Sequence, residues 1–244
     1  MNSVNDNDEK ERYSLLLGIT ASGLKLPPLI VFRGANTERG TIIKELKSHP
    51  QIAQRNLYLT CNKTAWVTRE ILLEYLEFVF KEDDYFDLED PKLIIMDNFG
   101  GHNVEEDLDE NRFKILFLPE NSTHLTQPLD ILINRSLKSS LRKKFLRHLI
   151  ENDCKKVSAK DARNLIIEKV LETWNEDISS QLIKKSFELA GITSPTLWTN
   201  KDRLNEPLKR ILERQSLNIL NQNDVDIQID DAEMIIADDS EEEL

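Results

Sequence analysis

A chain of 244 residues, 39% hydrophobic and 31% charged, has room for one large domain with extensions and suits a soluble globular protein with a polar surface. It holds no apolar run near the ~20 residues a membrane span needs, its polar start MNSVNDNDEKER is no signal peptide, and Cys61 and Cys154 alone make neither a disulfide framework nor a structural zinc site. The net charge of −12 argues against nonspecific nucleic-acid binding by the whole chain, but the charge is uneven: Arg142, Lys143, Lys144, Arg147, His148, Lys155 and Lys156 crowd residues 138–156, and the end from Asp224 onward is almost wholly acidic. That basic stretch is either a local phosphate contact or a solvated helix face.

In chain order, residues 1–12 show no periodicity and are expected to be disordered or the end of a hairpin. Residues 13–20 (YSLLLGIT) and 29–33 (LIVFR) read as strands around an Ala21-Ser22-Gly23 turn, and an antiparallel pair is the simplest arrangement. Pro27-Pro28, without backbone donors, bar the residues before Leu29 from a central ladder. Residues 39–48 hold a short helix or a loop, and 57–61 (LYLTC) a strand. Thr68 is placed to cap a helix whose apolar residues Ile71, Leu72, Tyr75, Leu76, Val79 and Phe80 recur at helical spacing. Trp66 before it is read as packing.

The continuous apolar run 92–96 (KLIIM) reads as a strand buried on both faces. A glycine-containing loop follows at 98–103, then one or two helical turns within 104–112, a strand at 113–118 and a loop at 119–126. A long helix is expected over 128–150, with Pro128 near its first position, where a missing N–H costs nothing. Ser158 caps a further helix to Trp174, with Ala162, Leu165, Ile166, Val170 and Leu171 on its apolar face. The last regular helix spans 178–190, and Gly191 is its stop. Residues 194–220 form an extension, either with a helix near 207–220 or as a tether, and the acidic residues 221–244 are expected to be disordered. Strands early, then a helix, two strands and more helices give an α/β mixed sheet with flanking helices.

The chemistry concentrates between residues 92 and 138. Asp97 follows the apolar strand directly, and His102 stands five residues on, across Gly100-Gly101. Asp130 opens the long helix after Gln127-Pro128-Leu129. A carboxylate at a strand end and another in the first turn of a helix are the hard oxygen donors that Mg²⁺ takes alongside waters and substrate phosphates.

Asp97-Asn98 with His102, Phe117-Leu118-Pro119, Asn121-Ser122-Thr123, Gln127-Pro128-Leu129-Asp130 and Lys138 resemble, in order and spacing, the DDE-superfamily endonuclease domain of pogo/Tigger/jerky-type transposases, which includes relatives of centromere protein B. Trp174 and the later Phe187 with Ala190-Gly191-Ile192 resemble the end of that domain, so the likeness covers residues 13–193. It implies an RNase H-like fold and a metal site of three carboxylates for Mg²⁺ or Mn²⁺. Asp97 corresponds to the second carboxylate and Asp130 to the third. The first is expected on an apolar strand just before residue 13. Asp6, Asp8, Glu9 and Glu11 lie near that position, but in polar surroundings.

The resemblance further implies DNA as partner and the nucleus as location. His102 is then a catalytic or phosphate contact, and Lys138 and Arg142, one helical turn apart, are DNA-phosphate contacts. Each residue also has a plainer reading. Asp97 is otherwise a strand-end carboxylate, Asp130 a charge favoured by the helix dipole, His102 a loop-packing histidine, and Lys138 and Arg142 a solvated face. A cleaving and joining enzyme is the expectation for an intact parent, with activity weakened or lost here. The alternatives are a non-catalytic DNA- or protein-binding domain on the same fold, acting alone or as a homo-oligomer, and an unrelated metal-dependent hydrolase. The last leaves the Gln127–Asp130 motif unexplained.

Overall fold

The computed structural model of the chain describes residues 12–36, 40–80, 92–97, 104, 108–109, 112–119, 122–153, 157–193, 206–207 and 209–210. Its central element is β2 (Leu29–Arg33), whose first four side chains, Leu29 to Phe32, are fully buried. One side of β2 pairs antiparallel with β1 (Tyr13–Leu16), from Tyr13 opposite Phe32 to Leu16 opposite Leu29. The other pairs parallel with β3 (Tyr58–Asn62), from Leu29 opposite Tyr58 to Arg33 opposite Asn62. A separate parallel pair joins β4 (Lys92–Met96) to β5 (Phe113–Phe117).

Because side chains alternate across a strand, β2 feeds two cores. Ile30 and Phe32 face a cluster with Leu59, Cys61, Ile133, Leu137, Leu141, Ile167, Val170, Trp174 and Ile183. Leu29 and Val31 face a second cluster with Ile71, Leu72, Tyr75, Leu76, Val79 and Val104, on which Ile94 and Ile115 pack. Helices of the C-terminal half therefore cover one face of the three-stranded sheet. On the other face lies α3 (Arg69–Phe80), whose start is capped by the Ile71 N–H donating to Thr68 Oγ1. This is a mixed α/β, RNase H-like arrangement of small sheets flanked by helices. The predicted short helix at 39–48 is α1 (Thr41–Lys47), and α2 (Pro50–Ala53) follows it.

The first hairpin differs from its expected form for a physical reason. The predicted strand 13–20 stops at Leu16, because Pro27 and Pro28 cannot donate to residues 17 and 18. Pairing resumes beyond them with Ile19 bridged to Lys25 and the Leu26 N–H donating to Gly18 O at 2.9 Å. Between these two stretches the returning strand holds one residue more than the outgoing one, so the register slips as at a bulge. The prolines' carbonyls are satisfied elsewhere: Tyr75 Oη donates to Pro27 O and the Tyr58 N–H to Pro28 O, both at 2.9 Å. At the tip Gly23 has φ +93° and a neighbour so close that a Cβ would stand 2.3 Å from Ser180 Oγ.

That tip is fastened to the far end of the chain. Lys25 Nζ donates to the carbonyls of Trp174 at 2.7 Å, Asn175 at 2.8 Å and Ile178 at 2.9 Å. Trp174 Nε1 donates back to Leu26 O at 3.0 Å. These carbonyls belong to a π-helical turn (Thr173–Asp177) and the residue after it, between α6 (Ala159–Glu172) and α7 (Ser180–Leu189), where helix-end carbonyls lack partners of their own. Gly191, at φ 75°, ends α7 as expected.

Further expectations need correction. The run 92–96 is not buried on both faces: Leu93 is 62% exposed, because one face of the β4–β5 pair packs on the α3 side and, among the described residues, no helix covers the other as helices cover β2. Trp66 is 60% exposed and does not serve the core. Residues 119–126 are not all loop, since α4 (Thr123–Thr126) forms one turn there. The helix predicted over 128–150 opens with a π-helical turn (Leu129–Ile133) and continues as α5 (Asn134–Glu151). On α6 the buried residues are Arg163, Ile166, Ile167, Val170 and Leu171, and Ala162 and Leu165 are only half-buried. Arg163 is buried because Nε and Nη2 grip the two carboxylate oxygens of Glu45 on α1, at 3.2 and 2.8 Å. Of the helix expected near 207–220, residues 207, 209 and 210 are described and 207, 209 and 210 are helical. Residues 1–11, 98–103 and 221–244 lie outside the described residues.

α5 is held to α6 by Lys144, whose Nζ lies 2.8 Å from Glu172, 3.4 Å from Glu176 and 3.4 Å from Asp177. Burial disfavours the Lys144 charge, but these carboxylates outweigh it and its pKa ends above the ordinary value. Hydrogen bonds from Lys144 and Lys169 lower the pKa of Glu172. A lowered carboxyl stabilises fully above its unfolded value, about 4.5, and that contribution is lost as pH falls through the folded one. The stability gap between wild type and Glu172→Gln should therefore be widest at neutral pH and close on acidification below about pH 4.5, measured as urea midpoints against pH. Lys25→Met should cost about 2 kcal/mol, because three carbonyls lose a charged donor, with a lower urea midpoint and an unchanged slope.

Candidate functional site

The candidate residues come from two places, the C-terminal end of β4 beside that of β5, and the π-helical turn that opens α5. The parallel ladder sets Met96 opposite Phe117, and the Leu118 N–H donates to Met96 O at 2.8 Å. Asp97 therefore leaves the sheet at the C-terminal end of β4, half-buried, beside the point where β5 ends. In α/β proteins the C-terminal ends of parallel strands are where ligands gather.

From there the chain runs through buried Leu118 to α4, where Ser122 ties the loop by donating from Oγ to Pro119 O at 2.6 Å. Leu125 is buried, Gln127 is extended at ψ 113°, and Pro128 starts the next helix at φ −54°. The Asp130 and Ile131 N–H groups both donate to Gln127 O, at 3.0 and 3.2 Å. Asp130 thus stands in the first turn, where the helix dipole favours a carboxylate. That turn is π-helical, a form found mostly as single turns and often at functional sites. The Asp130 side chain is exposed and accepts a 2.6 Å hydrogen bond at Oδ1 from Asn134 Nδ2, one turn on. This i,i+4 partner was legible from spacing alone.

α5 then presents two faces. Leu137 and Leu141 are buried and Lys144 turns inward to its carboxylates. Arg135, Lys138, Arg142, Lys143 and Arg147 are all exposed, and Lys138 and Arg142 stand one turn apart on that outer side. The outer face does not stay polar: Leu146, Leu149 and Ile150 at its C-terminal end are 56%, 47% and 67% exposed. Sequence reasoning took the basic residues and passed over these three, although Leu146 and Ile150 lie opposite Leu137 and Leu141 and their exposure follows from that position.

Asp97 and Asp130 supply two hard oxygen donors of the kind that Mg²⁺ or Mn²⁺ accepts. Among the described residues no group of three or more His, Cys, Asp and Glu is assembled for a metal. His102, with the rest of residues 98–103, lies outside the described residues. Among the described residues no helix is long and apolar enough to cross a membrane.

The sequence was compared with known proteins. The family model described as DDE superfamily endonuclease matches residues 10–187. The human protein named Pogo transposable element with KRAB domain is 24% identical over 193 residues, 76% of this chain and 30% of that protein. The CENP-B homolog protein 2 of Schizosaccharomyces pombe is 25% identical over 193 residues, 75% of this chain and 36% of its own length. The ARS-binding protein 1 of the same yeast is 24% identical over 194 residues, 75% of this chain and 35% of its own. The chain thus spans about a third of the length of these relatives. No solved structure matches it. With the family model covering most of the chain, from the strand pair through α6 and nearly all of α7, this protein belongs to the DDE superfamily endonuclease family, in its pogo-type, transposase-derived branch.

Proposed function

We propose that this domain engages DNA along the outer face of α5 and carries, at the head of that helix, part of a divalent-metal endonuclease site. The observation that carries the reading is one continuous element: a π-helical turn bearing Asp130 that runs directly into a helix exposing Arg135, Lys138, Arg142, Lys143 and Arg147. A carboxylate and a row of phosphate-binding cations on one rigid rod suit a reaction at a phosphodiester.

Asp97 and Asp130 are the residues that would hold Mg²⁺ or Mn²⁺. A bound divalent ion supplies polarisation of the scissile phosphate and activation of the attacking water or 3′-hydroxyl. The chain's own task is placement. The β4–β5 ladder fixes the end of the strand from which Asp97 projects, and Asn134 fixes Asp130. Lys138 and Arg142 neutralise backbone phosphates beside them, and His102 serves as a further phosphate or catalytic contact. Such a domain would work on DNA in the nucleus.

A second reading is a non-catalytic binding domain on the same fold, contacting DNA or a protein. It is favoured by the short Asn134–Asp130 hydrogen bond, which gives that carboxylate a structural role in the helix.

Titration calorimetry with Mg²⁺ or Mn²⁺ separates the two. Binding by the parent chain that disappears in both Asp97→Ala and Asp130→Ala supports the metal site. No binding, or binding indifferent to both changes, leaves the non-catalytic reading. For DNA, anisotropy of a labelled duplex at several salt concentrations should show Lys138→Ala and Arg142→Ala each lowering the salt slope by about 1. Unchanged slopes would remove α5 as the DNA face.

A further inference from the structure

The outer face of α5 changes character along its length. Arg135, Lys138, Arg142 and Lys143 make its first turns basic, and Leu146, Leu149 and Ile150 then make its last turns apolar, with Arg147 among them. Large apolar side chains grouped on an exposed helix face mark an interaction site more often than chance exposure does. DNA phosphates account for the cations. They do not account for three leucine-type side chains.

The same chain contains a segment with the matching composition. Residues 224–244 (DVDIQIDDAEMIIADDSEEEL) hold ten Asp or Glu and no Lys or Arg. They carry most of the net charge of −12, and the remainder of the chain stands at −2. Within them Met234-Ile235-Ile236 is an apolar block with carboxylates on both sides, at Asp230, Asp231 and Glu233 before it and at Asp238 and Asp239 after it. α5 offers the reciprocal pattern, cations beside an apolar ridge.

We propose that residues 224–244 dock in cis on the outer face of α5. Met234, Ile235 and Ile236 seat against Leu146, Leu149 and Ile150, and the flanking carboxylates face Arg142, Lys143 and Arg147. Reach is ample. Residues 194–233 intervene between the end of the domain and the apolar block, and an extended chain covers about 3.3 Å per residue, against about 27 Å for the whole of α5. The contact joins two components with different salt responses. The ion pairs weaken as salt rises, and the apolar block does not depend on them. Resting on the DNA reading above, the segment then competes with phosphate for the same cations and holds the domain off nonspecific sites.

The test uses the full chain without DNA, so its outcome is independent of whether α5 binds DNA. Zero-length carbodiimide cross-linking joins a lysine amine to a carboxylate only where the two touch. Mass spectrometry of the monomer should find Lys138 or Lys143 joined to carboxylates in 224–243. The yield should fall at least about tenfold in Leu146→Asp/Ile150→Asp, whose added charge removes the apolar seat. Ile235→Asp/Ile236→Asp, which changes no residue of α5, should lower it similarly. Cross-links only between chains in a mixture of ¹⁴N and ¹⁵N protein would show a second copy as the occupant and overturn the proposal. So would the absence of these cross-links, or yields equal in parent and variants.

Discussion

The contact on which this fold most depends is the clasp between Lys25 and the turn at Trp174. A hairpin near the start of the chain reaches a helix end about 150 residues later, and four hydrogen bonds run between them in both directions. The ammonium is drawn into partly desolvated surroundings, which lowers its pKa, and the three carbonyls compensate it. Trp174 is at once the largest fully buried side chain and the donor that holds Leu26. Beside this clasp, apolar contact with β2 and the Arg163–Glu45 pair set the angle of the C-terminal helices. With the clasp, the Gly23 tip is pressed so closely to α7 that no side chain fits.

β2 makes the rest follow. Its side chains enter two cores, so the C-terminal helices on one face and α3 on the other report to one strand. Loss of packing on either face is therefore felt on both. The β4–β5 pair sits outside this shared arrangement. It contributes Ile94 and Ile115 to one core and leaves Leu93 and Leu116 largely exposed. The strand that delivers Asp97 is thus the less protected of the two sheets.

Much of this was legible in the sequence where a short-range pattern determines the outcome. LIVFR reads as a central strand, the i,i+3,i+4 spacing of Ile71 to Phe80 as a helix, and Ser158 as a cap that does accept the Asp161 N–H. What could not be read depends on distant partners. Arg163 is buried because Glu45 meets it from α1, and no local period reveals that pairing. KLIIM looked buried on both faces because apolar content does not say whether a helix covers the second one. At the candidate site the motif's spacing foretold the local placement alone: Asp97 follows a strand and Asp130 lies in the first turn of a helix. The π-helical character of the turn was not legible, since it changes the hydrogen-bond span and leaves the spacing of residue types unaltered.

That turn has a consequence for how the domain can evolve. A π turn is an ordinary helix holding one surplus residue, and each residue of an α-helix advances it by about 100°. The wide turn absorbs that surplus residue, so the acidic head of the rod and its basic stripe keep nearly the bearing they would have on an unbroken helix one residue shorter. Deleting it would return the turn to ordinary helix, with Ile133's successors still packed in the core and Asp130 near its present bearing on Lys138 and Arg142. The turn is thus a place where the helix tolerates a change of length, whereas one residue gained or lost within α5 itself would rotate the carboxylate about 100° against the cations beyond it.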